Sequence, residues 1–304
     1  MSTIEKALEK LNAQQPAPVA AQSTDVAPEV SATPSSIEAA VAVQTSDVTS
    51  NSAVTPNSPN VDAPLAPAAQ SVVTDVNPVS KNFIDVDLKR LDALGFATLS
   101  TDRRLIFEEF RQIKRKLINN AFGPLSSTLN HANLIMVSSS RPSEGKTFTA
   151  VNLALSIALE QDKTVLLVDA DVLRPNVSRT LDIQLPVGLT DYLSDDRYNA
   201  GDIIFSTNVE RLKVIAAGRP HHLSTELLAS DKMAKLAQEF ATRYPDRIVI
   251  VDAPPLLGVN ETSILAAMCG QALIVCEEKR TNLNELEKAI SMLPKDIAAG
   301  FVIN

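Results

Sequence analysis

The clearest chemical signal in the sequence is the triplet Gly145, Lys146 and Thr147, which lies between a strand-like apolar run, 133–138, and a helical run, 148–160. A strand, a turn ending in Gly-Lys-Thr and a helix form the setting of a phosphate-binding P-loop. Loop N–H groups point at phosphate oxygens, the lysine supplies charge at the β and γ phosphates, and the threonine hydroxyl can ligate Mg²⁺. The residues predicted to line the phosphates are Ser140, Arg141, Pro142, Ser143, Glu144, Gly145, Lys146, Thr147 and Phe148.

Two further strand-like runs end in acids, the first at Asp169 and Asp171 and the second at Asp252. An aspartate at the carboxyl end of a buried strand lies at the sheet edge where ligands bind. A buried acid is costly unless it meets a cation, and Mg²⁺ held by Asp252 and Thr147 would provide one. A lone Gly-Lys-Thr also occurs in ordinary turns, and Ser140 replaces the usual first glycine. The two acid-ended strands are what favour a nucleotide site with Mg²⁺.

The elements that must position these residues are four apolar runs, 133–138, 164–168, 248–251 and 272–276, separated by helical patterns. Strands that alternate with helices predict a mostly parallel sheet with crossover helices. Shorter patterns predict a helix over 86–94 closed by Gly95, and a helix from Ser100 or Thr101 to about Asn119. The expected fold class is α/β, a P-loop NTPase fold with a central sheet flanked by helices.

Composition divides the chain of 304 residues and net charge −8 into unlike parts. Residues 1–15 predict a short amphipathic helix, which is too short to be stable alone and either docks on a partner or forms transiently. Residues 16–80 are rich in Ala, Pro, Ser and Thr and lack glycine and aromatic residues, so we expect a disordered linker. Residues 81–304 carry the predicted P-loop domain.

Composition also excludes several classes of protein. Neither part of the chain is basic, which disfavours nucleic acid as the main ligand. Cys269 and Cys276 lack a CxxC or metal-ligand spacing and are expected as reduced, buried thiols. No run of about 18 apolar residues predicts a membrane-spanning helix, and no signal peptide is visible. His221 and His222 have no third ligand at suitable spacing, so we interpret them as surface-loop residues.

With these motifs in place, residues 83–304 resemble the bacterial tyrosine kinases (BY-kinases) of capsule and exopolysaccharide loci, which are relatives of the MinD/ParA ATPases. The opening IEKALEKL, the Pro-rich spacer and VDADVLRP resemble the branch linked to PEP-CTERM/exosortase clusters. The resemblance implies ATP and Mg²⁺ as cofactors, with Lys146, Asp169 and Asp171 as the catalytic residues. It also implies Thr147, Asp169 and Asp252 around the metal. Asp169 is preferred over Asp171 as the base that deprotonates a tyrosine hydroxyl, and that choice requires geometry.

The resemblance further implies a homo-oligomer. The family's ExxRxxR assembly helix maps onto Glu108, Arg111 and Lys114, although a solvated helix face is the alternative reading of these charges. Gly300 to Asn304 is similar to the family's last core strand, whose Asn lies near the adenine. The implied partner is a membrane-bound, Wzz-like polysaccharide chain-length determinant. The expected location is therefore the cytoplasm, peripheral to the inner membrane through that partner.

The sequence thus leads to an ATP-dependent protein-tyrosine kinase, acting as an autokinase, that regulates exopolysaccharide biosynthesis, chain length or export. The alternatives are a MinD/ParA-like ATPase switch in polysaccharide assembly without kinase activity, and a scaffold that binds ATP without turning it over. Family members commonly carry a tyrosine-rich tail as phosphoacceptor. The tyrosines of this sequence are Tyr192, Tyr198 and Tyr244, and the sequence leaves the choice among them open.

Overall fold

The computed structural model describes residues 82–98 and 105–304. The helix predicted for 1–15 and the linker predicted for 16–80 lie outside the described residues. So do Ser100 and Thr101, the predicted caps of the second helix.

The described residues form one eight-stranded sheet in the order β1-β4-β5-β3-β6-β2-β7-β8. All neighbouring strands run parallel except the pair β4 and β5. The predicted α/β class is therefore confirmed, because successive parallel strands require crossover connections. The strands are β1 Phe83–Ile84, β2 Leu134–Ser139, β3 Thr164–Asp169, β4 Phe205–Thr207, β5 Leu212–Ile215, β6 Arg247–Asp252, β7 Gln271–Cys276 and β8 Ala298–Ile303.

Helices cover both faces of this sheet. Leu134 and Met136 of β2 pack into a core with helices α5 to α9, whereas Ile135 and Val137 pack into a second core with α1 to α4. Side chains alternate between the two faces of a strand, so a central strand buried on both faces is apolar throughout. The helices are α1 Leu88–Ala93, α2 Leu105–Phe122, α3 Lys146–Ala158, α4 Val177–Leu181, α5 Leu189–Ser194, α6 Ser224–Leu228, α7 Asp231–Thr242, α8 Asn260–Met268 and α9 Leu283–Ser291.

The four central strands match the predicted runs to within one or two residues, and Gly95 ends the first helical segment with φ of +85°. The predicted last strand is present as β8. It bonds only to β7 and lies at the edge of the sheet, where its side chains are partly or fully exposed. The short strands β1, β4 and β5 have no strong apolar pattern in the sequence and were not predicted.

Strand register brings the motif acids together. Asp169, the last residue of β3, is paired with Asp252, the last residue of β6, and Asp252 is paired with Val137 of β2. Both acids and the loop after β2 therefore meet at the carboxyl edge of the sheet, as the sequence predicts for a ligand site.

Candidate nucleotide site

The loop between β2 and α3 is a phosphate cradle in shape. Gly145 adopts the left-handed region with φ of 96°, and Ser143 does so with φ of 69°. α3 begins at Lys146 and is 13 residues long, so its first N–H groups and its dipole favour an anion in front of the loop. The geometry of this segment is that of a P-loop, with Ser140 at its start in place of glycine.

Glu144 and Asn304 hold the loop from behind. The Glu144 carboxylate accepts hydrogen bonds from the backbone N–H of Arg141, at 2.7 Å, and from the Thr281 hydroxyl. The Asn304 amide donates to the Glu144 carbonyl oxygen at 3.1 Å. A Cβ on Gly145 would lie 2.1 Å from the Asn304 amide nitrogen, so a larger residue there would have to displace the Asn304 side chain. Glu144 and Asn304 therefore brace the loop, and their predicted contact with the nucleotide stays a prediction.

Two hydrogen-bonded pairs link the loop to the acid-ended strands. Lys146 Nζ lies 2.6 Å from Asp171 Oδ2, and the Thr147 hydroxyl donates to Asp252 Oδ2 at 2.7 Å. All four side chains are buried. The carboxylates of Asp171 and Asp252 thus orient the Lys146 ammonium and the Thr147 hydroxyl at the start of α3, where a P-loop binds phosphate oxygens.

Asp169 lies deeper. Its Oδ2 accepts hydrogen bonds from the backbone N–H groups of Asn176 and Val177, at 3.1 and 3.0 Å. Burial, reinforced by the neighbouring Asp252 charge, raises the pKa of Asp169 to about 8. Burial also raises the pKa of Asp252 to about 6, although Lys146 and the Thr147 hydroxyl act in the opposite direction. The charge of Asp252 thus disfavours the ionised form of Asp169.

Unsatisfied oxygens test whether magnesium suits this site. Within the described residues, the buried side-chain atoms that lack a hydrogen-bond partner are Ser140 Oγ, Asp169 Oδ1 and Asp252 Oδ1. Hard oxygen ligands are what Mg²⁺ prefers, and it usually takes one or two carboxylates together with substrate phosphates. No group of three His, Cys, Asp or Glu side chains in the described part forms a complete metal site. The donors therefore fit a cation that shares its coordination with a bound nucleotide.

The P-loop opens onto a cleft of about 1000 Å³. Asp171 lines this cleft together with Lys146 and Thr147, whereas Asp169 does not reach it. Arg174 and Arg179 also line the cleft, are exposed and add positive charge. The sequence reading noted Arg174 but missed Arg179, which lies on the short α4. The one feature of the sequence that could have indicated Arg179 is its position eight residues after Asp171.

The remaining predicted residues have different surroundings. Pro142 is exposed and lines the cleft, whereas Arg141 is exposed and pairs with Glu285. Phe148 is half-buried between the cleft and a second hollow of about 740 Å³ along β8, which Asn304 also lines. His221 and His222 stack on each other in a loop, and both cysteines are buried and free.

The three residues of the predicted assembly motif do not share one environment. On α2, Glu108 and Arg111 form an exposed pair at 2.7 Å. Lys114 is buried, donates to the Ser156 carbonyl oxygen at 2.8 Å and pairs with Glu160 at 2.6 Å. Lys114 therefore binds within its own chain, and only Glu108 and Arg111 face outward.

Comparisons with known proteins agree with this geometry. Residues 132–297 match the family model of the AAA domain. The chain is 30% identical over 191 residues to tyrosine-protein kinase YwqD of Bacillus subtilis, covering 63% of this chain and 76% of YwqD. It is 35% identical over 157 residues to tyrosine-protein kinase CpsD of Streptococcus agalactiae, covering 51% of this chain and 67% of CpsD.

Solved structures give the same result. The kinase domain of Escherichia coli tyrosine kinase ETK is 26% identical, with a TM-score of 0.58, over 65% of this chain and 74% of that chain. The BceF tyrosine kinase domain is 26% identical, with a TM-score of 0.58, over 72% of this chain and 91% of that chain. Other relatives are longer: the chain spans 30% of tyrosine-protein kinase ptk of Acinetobacter johnsonii and 21% of EpsB of Ralstonia nicotianae. With a P-loop, two acid-ended strands and these relatives, the chain belongs to the bacterial tyrosine-protein kinase family, within the AAA domain group of nucleotide-binding proteins.

Proposed function

We propose that this protein is an ATP-dependent protein-tyrosine kinase. The observation that carries the proposal is the buried set of Lys146, Thr147, Asp171 and Asp252 at the mouth of an open cleft, with unsatisfied carboxylate oxygens beside it. Phosphoryl transfer asks mainly for positioning and charge neutralisation, and this set supplies both. Relatives named as tyrosine-protein kinases support the same chemistry.

We assign ATP and Mg²⁺ as the cofactors. Thr147, Asp252 and Asp169 would hold the metal. Lys146 would release its hydrogen bond to Asp171 and bind the β and γ phosphates instead. When bound, magnesium supplies positive charge that offsets the developing charge on the transferring phosphoryl group. The loop N–H groups orient the phosphates, and Arg174 and Arg179 add charge at the open side of the cleft.

The same geometry ranks the two candidate bases. Asp169 is fully buried, and one of its oxygens is occupied by backbone N–H groups. Asp171 lines the cleft, and its Oδ2 is bound by Lys146 in the absence of phosphate. A base must lie within hydrogen-bond reach of the proton it takes. We therefore propose that Asp171 accepts the proton of the tyrosine hydroxyl and that Asp169 helps to hold the metal. This reverses the order of the two candidate bases that the sequence favoured.

The wider role rests on the family resemblance. We propose that the kinase regulates exopolysaccharide biosynthesis, chain length or export, recruited to the inner membrane by a Wzz-like chain-length determinant. In residues 82–98 and 105–304, no helix combines the length and apolar character that crossing a membrane requires. Membership of the PEP-CTERM/exosortase branch stays a prediction.

The decisive experiment is a kinase assay with labelled Mg·ATP and a tyrosine-containing acceptor peptide, read by mass spectrometry. Lys146→Met should lower phosphotyrosine formation about 100-fold or more, because one preorganised charge at a transferring group is typically worth ~10²–10³ in rate. Lys288→Met, on the exposed face of α9, is the matched control and should leave the rate unchanged. Unfolding curves establish that both variants are folded.

Each result separates the candidate functions. Phosphotyrosine formed equally by wild type and Lys146→Met would refute the assignment of the site. Phosphate release that Lys146→Met abolishes, with no phosphotyrosine on peptide or protein, would instead favour the ATPase switch. ATP binding without turnover would favour a scaffold.

A further inference from the structure

A second cluster of charged residues lies at the opposite edge of the sheet from the P-loop, around Tyr244. This tyrosine lies in the connection between α7 and β6 and is 39% exposed. Tyr192 and Tyr198 are only partly exposed by comparison. Tyr244 is therefore the most accessible of the three tyrosines.

Arg247 packs against Tyr244 in an unusual way. Its guanidinium carbon lies 3.7 Å from the centroid of the Tyr244 ring, and the residue is only 5% exposed. Within the described part of the chain Arg247 forms no ion pair with a carboxylate, although the Tyr244 side chain is its hydrogen-bond partner and Asp246 is near enough to act on its charge. Burial lowers the pKa of Arg247, although Tyr244 and Asp246 act in the opposite direction.

Two more cations complete the cluster. Arg243 lies 5.7 Å from the Tyr244 ring centroid and pairs with Glu239. Lys213 lines the same hollow of about 430 Å³ and makes no ion pair among the described residues. Asp202 and Glu239 also line the hollow and Asp246 lies near Arg247, but of the three cations only Arg243 forms an ion pair among the described residues.

We propose that Tyr244 is a phosphoacceptor of this kinase and that Arg247, with Lys213 and Arg243, holds the phosphate formed on it. The proposal rests on the kinase function proposed above and names its acceptor. A phosphotyrosine carries about −1.5 to −2 charges at pH 7 and three acceptor oxygens, which arginine forks bind strongly. The buried guanidinium of Arg247 would then gain the anion that it lacks.

The transfer must occur between two copies of the chain. Tyr244 precedes the amino end of β6, whereas Asp252 ends that strand at the nucleotide site. Five residue steps at about 3.3 Å separate Arg247 from Asp252, a span of about 16 Å that the rigid central strand keeps fixed. A copy's own tyrosine hydroxyl therefore cannot reach its own P-loop.

The chemistry balances with ATP as the donor. In the cleft of a second copy, the bond from the γ phosphorus to the β–γ bridging oxygen breaks, and ADP leaves. A bond forms from the Tyr244 hydroxyl oxygen to that phosphorus. The hydroxyl proton passes to the carboxylate that serves as base in the second copy.

The other two tyrosines are less suited. Tyr192 packs against the core beneath Lys232, whose Nζ lies 4.7 Å from the ring centroid. Tyr198 follows Asp195 and Asp196, and the Arg197 beside it is already paired with Asp195. A phosphate on Tyr198 would face these acids without an unpaired arginine.

The test mixes phosphatase-treated wild type with a mass-tagged Lys146→Met chain that serves only as acceptor, in Mg·ATP, beside the peptide substrate. Phosphate should appear on Tyr244 of the tagged chain, at a rate that rises with wild-type concentration. Adding Tyr244→Phe to the tagged chain should lower its phosphotyrosine at least fivefold. The matched variants Tyr192→Phe and Tyr198→Phe should leave it unchanged.

Three results bear differently on the two proposals. Peptide phosphorylation with label on Tyr192 or Tyr198 alone overturns the inference and leaves the kinase function standing. Peptide phosphorylation with no label on the tagged chain does the same. Absence of phosphotyrosine from peptide and protein alike overturns both.

A second measurement tests the bound phosphate itself. Removal of phosphate from labelled Tyr244 by a general tyrosine phosphatase should be at least threefold faster in Arg247→Gln and in Lys213→Gln than in wild type. Lys235→Gln, an exposed change on α7, is the control. Equal removal rates in all four proteins would overturn the role assigned to the cations.

Discussion

Asp169 and Asp252 are register partners at the ends of β3 and β6, and both carboxyl groups are fully buried. Unfolded aspartates have a pKa of about 3.9. The folded values of about 8 and about 6 mean that the native chain binds protons that the unfolded chain has released. In the protein without metal and nucleotide, the stabilisation that these two groups contribute is therefore fully present below about pH 4. It is lost as the pH rises through their folded pKa values.

We predict that the metal-free protein becomes less stable between pH 6 and pH 8. Asp169→Asn should stabilise it at pH 8 more than at pH 6, because the amide carries no charge at either pH. The measurement is urea unfolding in EDTA at both pH values. Asp195→Asn is the control, since Arg197 lowers the pKa of Asp195 to about 2, outside this range. A wild-type slope that Asp169→Asn leaves unchanged would contradict the assigned cause.

At the scale of elements, the turn into α3 depends on one glycine. Gly145 combines φ of 96° with contact to the Asn304 side chain, so Gly145→Ala meets both strain and a clash. We expect a loss of about 1–3 kcal/mol in the free energy of unfolding and weaker nucleotide binding. Gly201→Ala is the matched control, because nothing lies within 4 Å of its added Cβ. Equal stability of both variants by urea unfolding would show that the loop adapts.

Helix α2 divides its charges between the interior and the surface, and the two classes should respond differently to mutation. Lys114→Met leaves the Ser156 carbonyl oxygen and Glu160 without their partner, so we expect a loss of about 1–3 kcal/mol. Arg111→Met removes an exposed pair and should cost less than about 1 kcal/mol. Urea unfolding of the two variants measures the difference. Similar losses would contradict the burial assigned to Lys114.

The sequence predicts those features of the fold and the site that depend on local patterns. The central strands and the motifs at their ends are local, since apolar runs and adjacent turn residues reveal them, and the acids then converge by the rules of parallel sheets. Side-chain contacts that depend on packing between distant elements cannot be predicted from such local patterns. Asn304 reaches the P-loop only because β8 pairs with β7, and Lys114 turns inward only because α2 packs on α3. Spacing in the ExxRxxR pattern carries no information on either contact.

At the scale of the whole molecule, the proposed kinase and its proposed acceptor lie at opposite edges of one sheet. A chain built in this way needs a second copy to bring Tyr244 to a nucleotide site. Assembly is therefore part of the proposed chemistry. The exposed pair of Glu108 and Arg111 on α2 is the surface that the family resemblance assigns to it.

We predict that Glu108→Ala combined with Arg111→Ala weakens self-association, because it removes one exposed charge pair of α2 without touching buried groups. The matched control is Glu277→Ala with Arg280→Ala, which deletes a surface pair outside α2 at the same i, i+3 spacing. Sedimentation velocity with Mg·ATP should show the first protein shifted toward monomer and the second unchanged. Because transfer to Tyr244 requires two copies, its labelling should fall in the first protein in parallel with association, while peptide phosphorylation per nucleotide site stays measurable. Unchanged association of both proteins would place the contact between copies on a surface other than this face of α2.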